Sequence, residues 1–443
     1  MQLWTLLILL ALASPLSAQE ASQGGFISLG PAEDKVEGSA FSSEFWEPGG
    51  SHRSLTVSSV EPSRDERKVY SLPFPAGQVL WAGLVPPAVA GRLAGGVVLE
   101  GEPAAEGRTV SRINDVSPLV EEYRADLVAT PPAAQVGDLE LTRSGWIWRP
   151  TAWRNDPEGL FAKLRAWGMN RVYVTVPATD QGVETADLLE RFIARASSLG
   201  IEVWAVDGDR YALLPEAQEP YLTRARAYAV YNARVSPEKR LSGVQYDIEP
   251  YLMPGYALRA AEWNEEYAQL LGLLKELAQM PLEIAVPFWF DGQQAAGGRK
   301  FLDAIVPAVD SVVVMDYRTD LAEVRRFARP FLHWGSKHDR EVHIALETVP
   351  LPDSGLSMYR PTSGAGTLWL STWDGLPILF LLDTPQAGLG SGQLFAYSHG
   401  TLSSSSRTTF HGREEELRGT LETLERDFAA WPSFAGLAVH GTE

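Results

Sequence analysis

From Gly145 to His440 short apolar runs take turns with helical stretches, and few folds accept that rhythm over such a length. Eight runs read as strands: "GWIW" (Gly145 to Trp148), "RVYVTVP" (Arg171 to Pro177), "IEVWAVDGD" (Ile201 to Asp209), "SGVQYDIEP" (Ser242 to Pro250), "LEIAVPFWF" (Leu282 to Phe290), "DSVVVMDY" (Asp310 to Tyr317), "VHIALET" (Val342 to Thr348) and "FAGLAVHGTE" (Phe434 to Glu443). Between them lie helical patterns. In the first, Asp156 caps, Pro157 opens the first turn, Gly168 closes, and Leu160, Phe161, Leu164 and Trp167 are apolar. A long one runs from about Ala257 to Ala278 with Trp263, Tyr267, Leu270, Leu271, Leu274 and Leu277 on one face. Eight strands alternating with helices predict an α/β protein, a parallel (β/α)8 TIM barrel lacking its final helix; an open doubly wound sheet is the alternative.

A chain of 443 residues leaves room for more than a barrel. Residues 26–130 are rich in Gly, Pro and Ser with short apolar runs such as "QVLWAGLV", which predicts a small N-terminal β-sandwich. A linker at 131–140 follows, overlapping "ATPPAAQVGD" (Ala129 to Asp138), and the barrel domain occupies 141–443. Residues from about 350 to 411 break the alternation, are Gly- and Ser-rich, and read as an insertion covering the mouth of the barrel.

Residues 1–18 read as a cleaved signal peptide: an apolar run from Leu3 to Ala13, then Pro15 and the small Ala18. That implies a secreted or periplasmic protein without stable membrane insertion after cleavage. There is no cysteine, so disulfides, thiol nucleophiles and thiolate zinc sites are excluded. The formal net charge of -18 repels phosphate backbones and anionic lipid, which argues against a nucleic-acid partner and leaves neutral or amino-sugar polymers. Fourteen Trp, most of them after residue 145, supply aromatic faces of the kind that suit sugar rings. No GxSxG elbow or HExxH occurs, and "GQQAAGGRK" (Gly292 to Lys300) lacks the Lys-Ser/Thr ending of a phosphate loop. No metal or cofactor is expected.

In such a barrel the site lies where the strands end at their C-termini. Asp247 and Glu249 end the fourth strand and, being two apart, point the same way. Trp146 and Trp148 end the first strand, Asp207 the third, Trp289 the fifth, Asp316 and Tyr317 the sixth, and Glu347 the seventh. Acids and aromatics therefore meet on one rim. Trp146, Trp204 and Trp289 are candidate stacking faces, with Asp316 and Glu347 as further substrate-binding candidates.

"GVQYDIE" followed about seventy residues later by "VVVMDY" resembles the family 18 glycoside hydrolases, the chitinase-type barrels, whose fourth strand carries DGxDxDxE and whose sixth carries MxY. The resemblance implies Glu249 as general acid, Asp247 as the carboxylate that orients the substrate N-acetyl group, and Tyr317 as a hydrogen-bond donor to it. The substrate's own amide would attack C1, so no enzyme nucleophile is needed. Ser242 and Gln245 stand where the family has its first two acids, Arg318 stands where an Asp usually follows the Tyr, and His440 lies on an eighth strand that lacks the family's Trp. A second resemblance is to the large retaining clan of barrel glycosidases, which implies Glu249 as acid/base and Glu347 as nucleophile. A barrel that binds oligosaccharide without turning it over is a third reading. The expected partner throughout is a polysaccharide or oligosaccharide.

Overall fold

The computed structural model describes residues 27–31, 39–50, 52–58, 68–71, 79–101, 110–115, 141–253, 255–373 and 375–442. The expected signal peptide and linker lie outside the described residues. In chain order the strands are β1 (Ile27–Pro31), β2 (Ser39–Trp46), β3 (His52–Ser58), β4 (Lys68–Ser71), β5 (Val79–Leu84), β6 (Val97–Gly101) and β7 (Val110–Asp115). Next come β8 (Thr142–Ile147), β9 (Arg171–Thr175), the short hairpin β10 (Ala178–Thr179) and β11 (Gly182–Val183), β12 (Glu202–Asp207), β13 (Gly243–Tyr246), β14 (Leu282–Pro287), β15 (Ser311–Met315) and β16 (Glu341–Glu347). Last are β17 (Ser354–Thr362), β18 (Gly366–Trp373), β19 (Leu376–Gln386), β20 (Gln393–Ser403) and β21 (Phe434–His440).

The chain divides into two compact units, one of Met1–Arg124, Tyr251–Ala260 and Pro352–Ser405, the other of Ala125–Pro250, Ala261–Leu351 and Ser406–Glu443. The first is a curled sheet of eleven strands in the order β4-β3-β2-β1-β5-β19-β18-β20-β17-β6-β7, antiparallel except where β3 meets β4. The small β-domain expected at the N-terminus is thus completed by the segment at about 350–411, whose four strands supply the middle of this sheet. Its strands are apolar on both faces because side chains alternate. Ala82, Leu84, Trp369, Ile378, Phe380 and Leu382 pack on one side, with Leu258 against them. Trp81, Leu379, Leu381, Leu368, Phe395, Val97 and Tyr359 pack on the other, closed by Val89 and Leu93. Each large apolar side chain so buried contributes roughly 1.5–3 kcal/mol relative to exposure.

The second unit is the TIM barrel. Its strands close in the order β8-β9-β12-β13-β14-β15-β16-β21, every neighbouring pair parallel. The helices form for the local reasons the sequence carries. The Asp156 carboxylate accepts from the Gly159 N–H at 2.9 Å, Pro157 opens the helix Pro157–Ala166, and Gly168 follows it at φ +67°. The helix Ala260–Ala278 buries Trp263, Tyr267, Leu270, Leu271 and Leu274; it starts three residues later than its periodicity suggests because Tyr256–Leu258 form a 3-10 turn. Asp320 caps the helix Leu321–His338 through the N–H groups of Ala322 and Glu323. No helix among the described residues is long and apolar enough to cross a membrane.

Candidate active site

Strand parity decides which side chains share the barrel interior. Register sets Val206 and Glu283 on either side of Gln245, and Ser311 beside Glu283. Gln245, Glu283 and Ser311 are buried and bonded to one another: the Gln245 amide donates to Glu283 at 2.7 Å and the Ser311 hydroxyl donates to it at 2.8 Å. The Trp146 indole N–H donates to the Gln245 carbonyl. This parity therefore faces inward, and Asp247, one residue past β13, and Glu249, just before the 3-10 turn Pro250–Leu252, follow at the C-terminal rim. The Asp247 N–H still bonds to the Asp207 carbonyl at 2.9 Å, continuing the ladder one residue beyond β13. On the far side of the barrel the register sets Glu347 directly against His440, and Tyr317 lies two residues past Met315.

These groups are electrostatic neighbours. Asp247 is half-buried, its Oδ1 is shielded from solvent with no hydrogen-bond partner among the described residues, and burial pushes its carboxyl up to about 6 against the opposing pull of His440. Tyr317 is 7% exposed, and burial followed by the charges of Glu347, Asp247 and Glu249 lifts its hydroxyl well above the usual range, so it stays an O–H donor. Its ring lies over His440 with centroids 6.2 Å apart and planes 18° apart. Tyr267, from the helix Ala260–Ala278, feels the same two acids and is raised chiefly by burial. Glu347 is fully buried: its Oε1 accepts the N–H groups of Thr348 and Val349 at 2.7 Å, and the His440 Nδ1 lies 3.1 and 2.9 Å from its two oxygens.

The structure thus brings Asp247, Glu249, Tyr317 and Glu347 together at one end of the barrel. Trp146 lies just beneath them, 3% exposed, stacked on Tyr173 at 5.2 Å and edge-on to His440 at 5.8 Å. Trp289 follows β14 in the turn Phe288–Gly292 and is 7% exposed, tilted against Phe290. The others sit elsewhere. Trp204 lies near the opposite, N-terminal ends of the strands, in register with Gly243 and Tyr173; its ring is capped by the Arg171 guanidinium at 4.4 Å and fills the space where a Gly243 side chain would be. Asp316 has the outward parity: it is fully buried with neither oxygen hydrogen-bonded, burial raises it well above the carboxylate range, and Arg318 and Arg326 only partly oppose that. Asp207 is engaged by Arg224 at both oxygens, at 2.5 and 3.0 Å.

Two members of this constellation carry no site role in the sequence pattern: His440, to which the rim residue Trp148 donates at 3.3 Å, and Glu283, which anchors Gln245 from below. A charged residue in the middle of the apolar run "LEIAVP" was the available signal for Glu283, since buried charge demands partners. Those partners are present: Arg171 at 3.8 Å and His343 at 3.4 Å complete a polar floor. Among the described residues no group of three His, Asp or Glu side chains is placed to hold a metal ion.

No family model matches the chain, and no curated protein does. Solved structures are similar at low identity. A chitinase from Chromobacterium violaceum is 13% identical over 68% of this chain and 93% of its own, with a TM-score of 0.35. The Bacillus cereus spore cortex-lytic enzyme SleL is 12% identical over 68% and 70%, with a TM-score of 0.36. The β-mannanase AaManA of family GH113 from Alicyclobacillus acidocaldarius is 12% identical over 49% and 73%, with a TM-score of 0.31. The fold assignment stands on the closed strand order of the barrel itself.

Proposed function

We propose that the barrel hydrolyses glycosidic bonds in a polymer containing N-acetylhexosamine, by the substrate-assisted route. Glu249 donates its proton to the leaving glycosidic oxygen as the C1–O bond breaks, and the substrate's acetamido oxygen forms the new bond to C1. Asp247 accepts the acetamido N–H and balances the positive charge that develops on the resulting ring. Tyr317 donates its O–H to the acetamido oxygen and so aims it at C1. Water then attacks C1, the bond from C1 to the acetamido oxygen breaks and restores the amide, and the water's proton returns to Glu249 as the sugar leaves.

One observation carries the reading: a half-buried Asp247 with one oxygen shielded from solvent and unpartnered among the described residues, two residues before Glu249 at the rim. A buried carboxylate oxygen without a donor is costly, and a substrate amide N–H is the kind of donor that removes the cost. An exported location is part of the proposal, supported by the apolar stretch from Leu3 to Ala13 and the small Ala18 after it. The test is hydrolysis of an aryl chitobioside by wild type and Glu249→Gln, beside the matching cellobioside, which lacks the acetamido group. Loss of turnover in the variant and selectivity for the acetamido substrate are expected. Full activity in Glu249→Gln, or equal hydrolysis of both substrates, would refute it.

A further inference from the structure

We infer that Glu347 and His440 form a positioning pair for the acids at the rim, in which Glu347 holds the imidazole and does not itself attack the sugar. The catalytic consequence rests on the glycosidase reading above; the geometry of the pair does not.

Glu347 ends β16 at a place where a retaining glycosidase with two glutamates would keep its nucleophile. Such a nucleophile needs one oxygen turned onto the sugar's C1. Here Oε1 already accepts two backbone N–H groups at 2.7 Å, those of Thr348 and Val349, and both oxygens lie within reach of the His440 ring nitrogen. The side chain is fully buried. Charge-assisted bonds of this kind fix a carboxylate in place, and an attack would have to strip them away.

The imidazole is held from both ends. Trp148 donates its indole N–H to Nε2 at 3.3 Å, so Nε2 accepts and the proton of the neutral ring sits on Nδ1, facing Glu347. The ring face meets Tyr317 and its edge meets Trp146. The titratable groups around it are Glu347 from β16, Tyr317 after β15, and Asp247 after β13, with Glu249 acting on the same Tyr317. Burial drives Asp247 towards its neutral form, and His440 opposes that. Asp247 must be ionised to accept the acetamido N–H and balance the developing charge. His440, oriented by Glu347, is neutral until it binds a second proton on acidification, and in that charged state it opposes protonation of Asp247, acting through Asp247 without touching the reacting atoms.

Two measurements test this, and only one needs turnover. In a His- and Asp-labelled wild type, the 15N shifts of His440 at neutral pH should report Nδ1–H, and the 13C titration of the Asp247 carboxyl should move up by about one pH unit in His440→Gln. A ring protonated only on Nε2, or an Asp247 midpoint unmoved in that variant, would overturn the pair. Since the tautomer is read from wild type, a variant that fails to fold leaves the question decidable. In turnover, the acid limb of the pH–kcat profile should rise with the Asp247 midpoint in His440→Gln, and azide should fail to rescue Glu347→Ala. Rescue with formation of a glycosyl azide would make Glu347 the nucleophile and overturn the inference. If wild type hydrolyses no glycan while the spectra behave as expected, the glycosidase reading fails and the pair stands.

Discussion

Gly208 and Asp247 approach so closely that a Cβ built on Gly208 would overlap the Asp247 carbonyl carbon and oxygen. The loop after β12 thus runs hard against the backbone that carries the acidic pair. Only a residue without a side chain permits that approach. Gly208→Ala should force the Asp247 backbone away from the barrel axis, with a stability loss of about 1–3 kcal/mol. Because the shift moves the group that holds the substrate, kcat should fall by more than tenfold, on the order of what misplacement by an ångström costs. Urea denaturation alongside steady-state kinetics checks both, and a variant with wild-type kcat would show that Asp247 does not depend on this contact.

Asp247 also makes stability depend on pH. Its carboxyl is raised from 3.8 to about 6 in the folded protein, so between those values the folded state binds more protons than the unfolded chain. Unfolding free energy must then fall as pH rises through that window, and the penalty is fully present above pH 6. Asp247→Asn should remove that slope and raise stability at pH 7 by on the order of 2 kcal/mol, while abolishing turnover. Denaturation midpoints at pH 4 and pH 8 in both proteins provide the comparison; equal slopes would contradict it.

Asp316 supplies a second, independent test of the same sign. Both its oxygens are buried without hydrogen bonds, so its charged form is disfavoured by the fold. Asp316→Asn keeps the shape and removes the charge. The variant should be at least as stable as wild type at pH 8, with its advantage shrinking as pH falls and wild-type Asp316 becomes neutral. A variant less stable at pH 8 than at pH 4, relative to wild type, would mean that the carboxylate has a partner after all.

Gln245 stands where the family 18 pattern has an acid, and the structure gives a reason for its neutrality. Its amide donates to the fully buried Glu283, and its carbonyl takes the Trp146 indole N–H. Gln245→Glu should place a second buried charge against Glu283 and cost about 3–5 kcal/mol, the scale of an uncompensated buried charge. Thermal unfolding checks it. A variant as stable as wild type would mean that the buried site around Glu283 tolerates a second carboxyl.

The barrel was legible because its signals are local: each strand is a short apolar run and each helix carries its own start and stop, as Asp156 and Gly168 do for Pro157–Ala166. That Asp247, Glu249, Tyr317 and Trp148 lie at or just past strand ends was legible for a related reason, since strand ends can be read within one segment. The pairing of His440 with Glu347 and Trp148 was not, because it depends on β16, β21 and β8 lying side by side, a register that no single segment encodes. The same holds for the residues around 350–411, read as a cover for the barrel. Their partners β5 and β6 are written near the other end of the chain, and long-range pairing leaves no mark on local composition.

That sheet constrains how the molecule is made. When β5 and β6 leave the ribosome, the strands that flank them, β19 and β17, have yet to be translated, and almost the whole barrel separates the two instalments. Until then β5 and β6 each present a bare, apolar edge, the kind of surface that recruits chaperones or sticks to its own copies. The sheet can therefore close only after its late strands are made, and a chain truncated before β17 would keep seven of the eleven strands in two separate groups, with a standing tendency to aggregate.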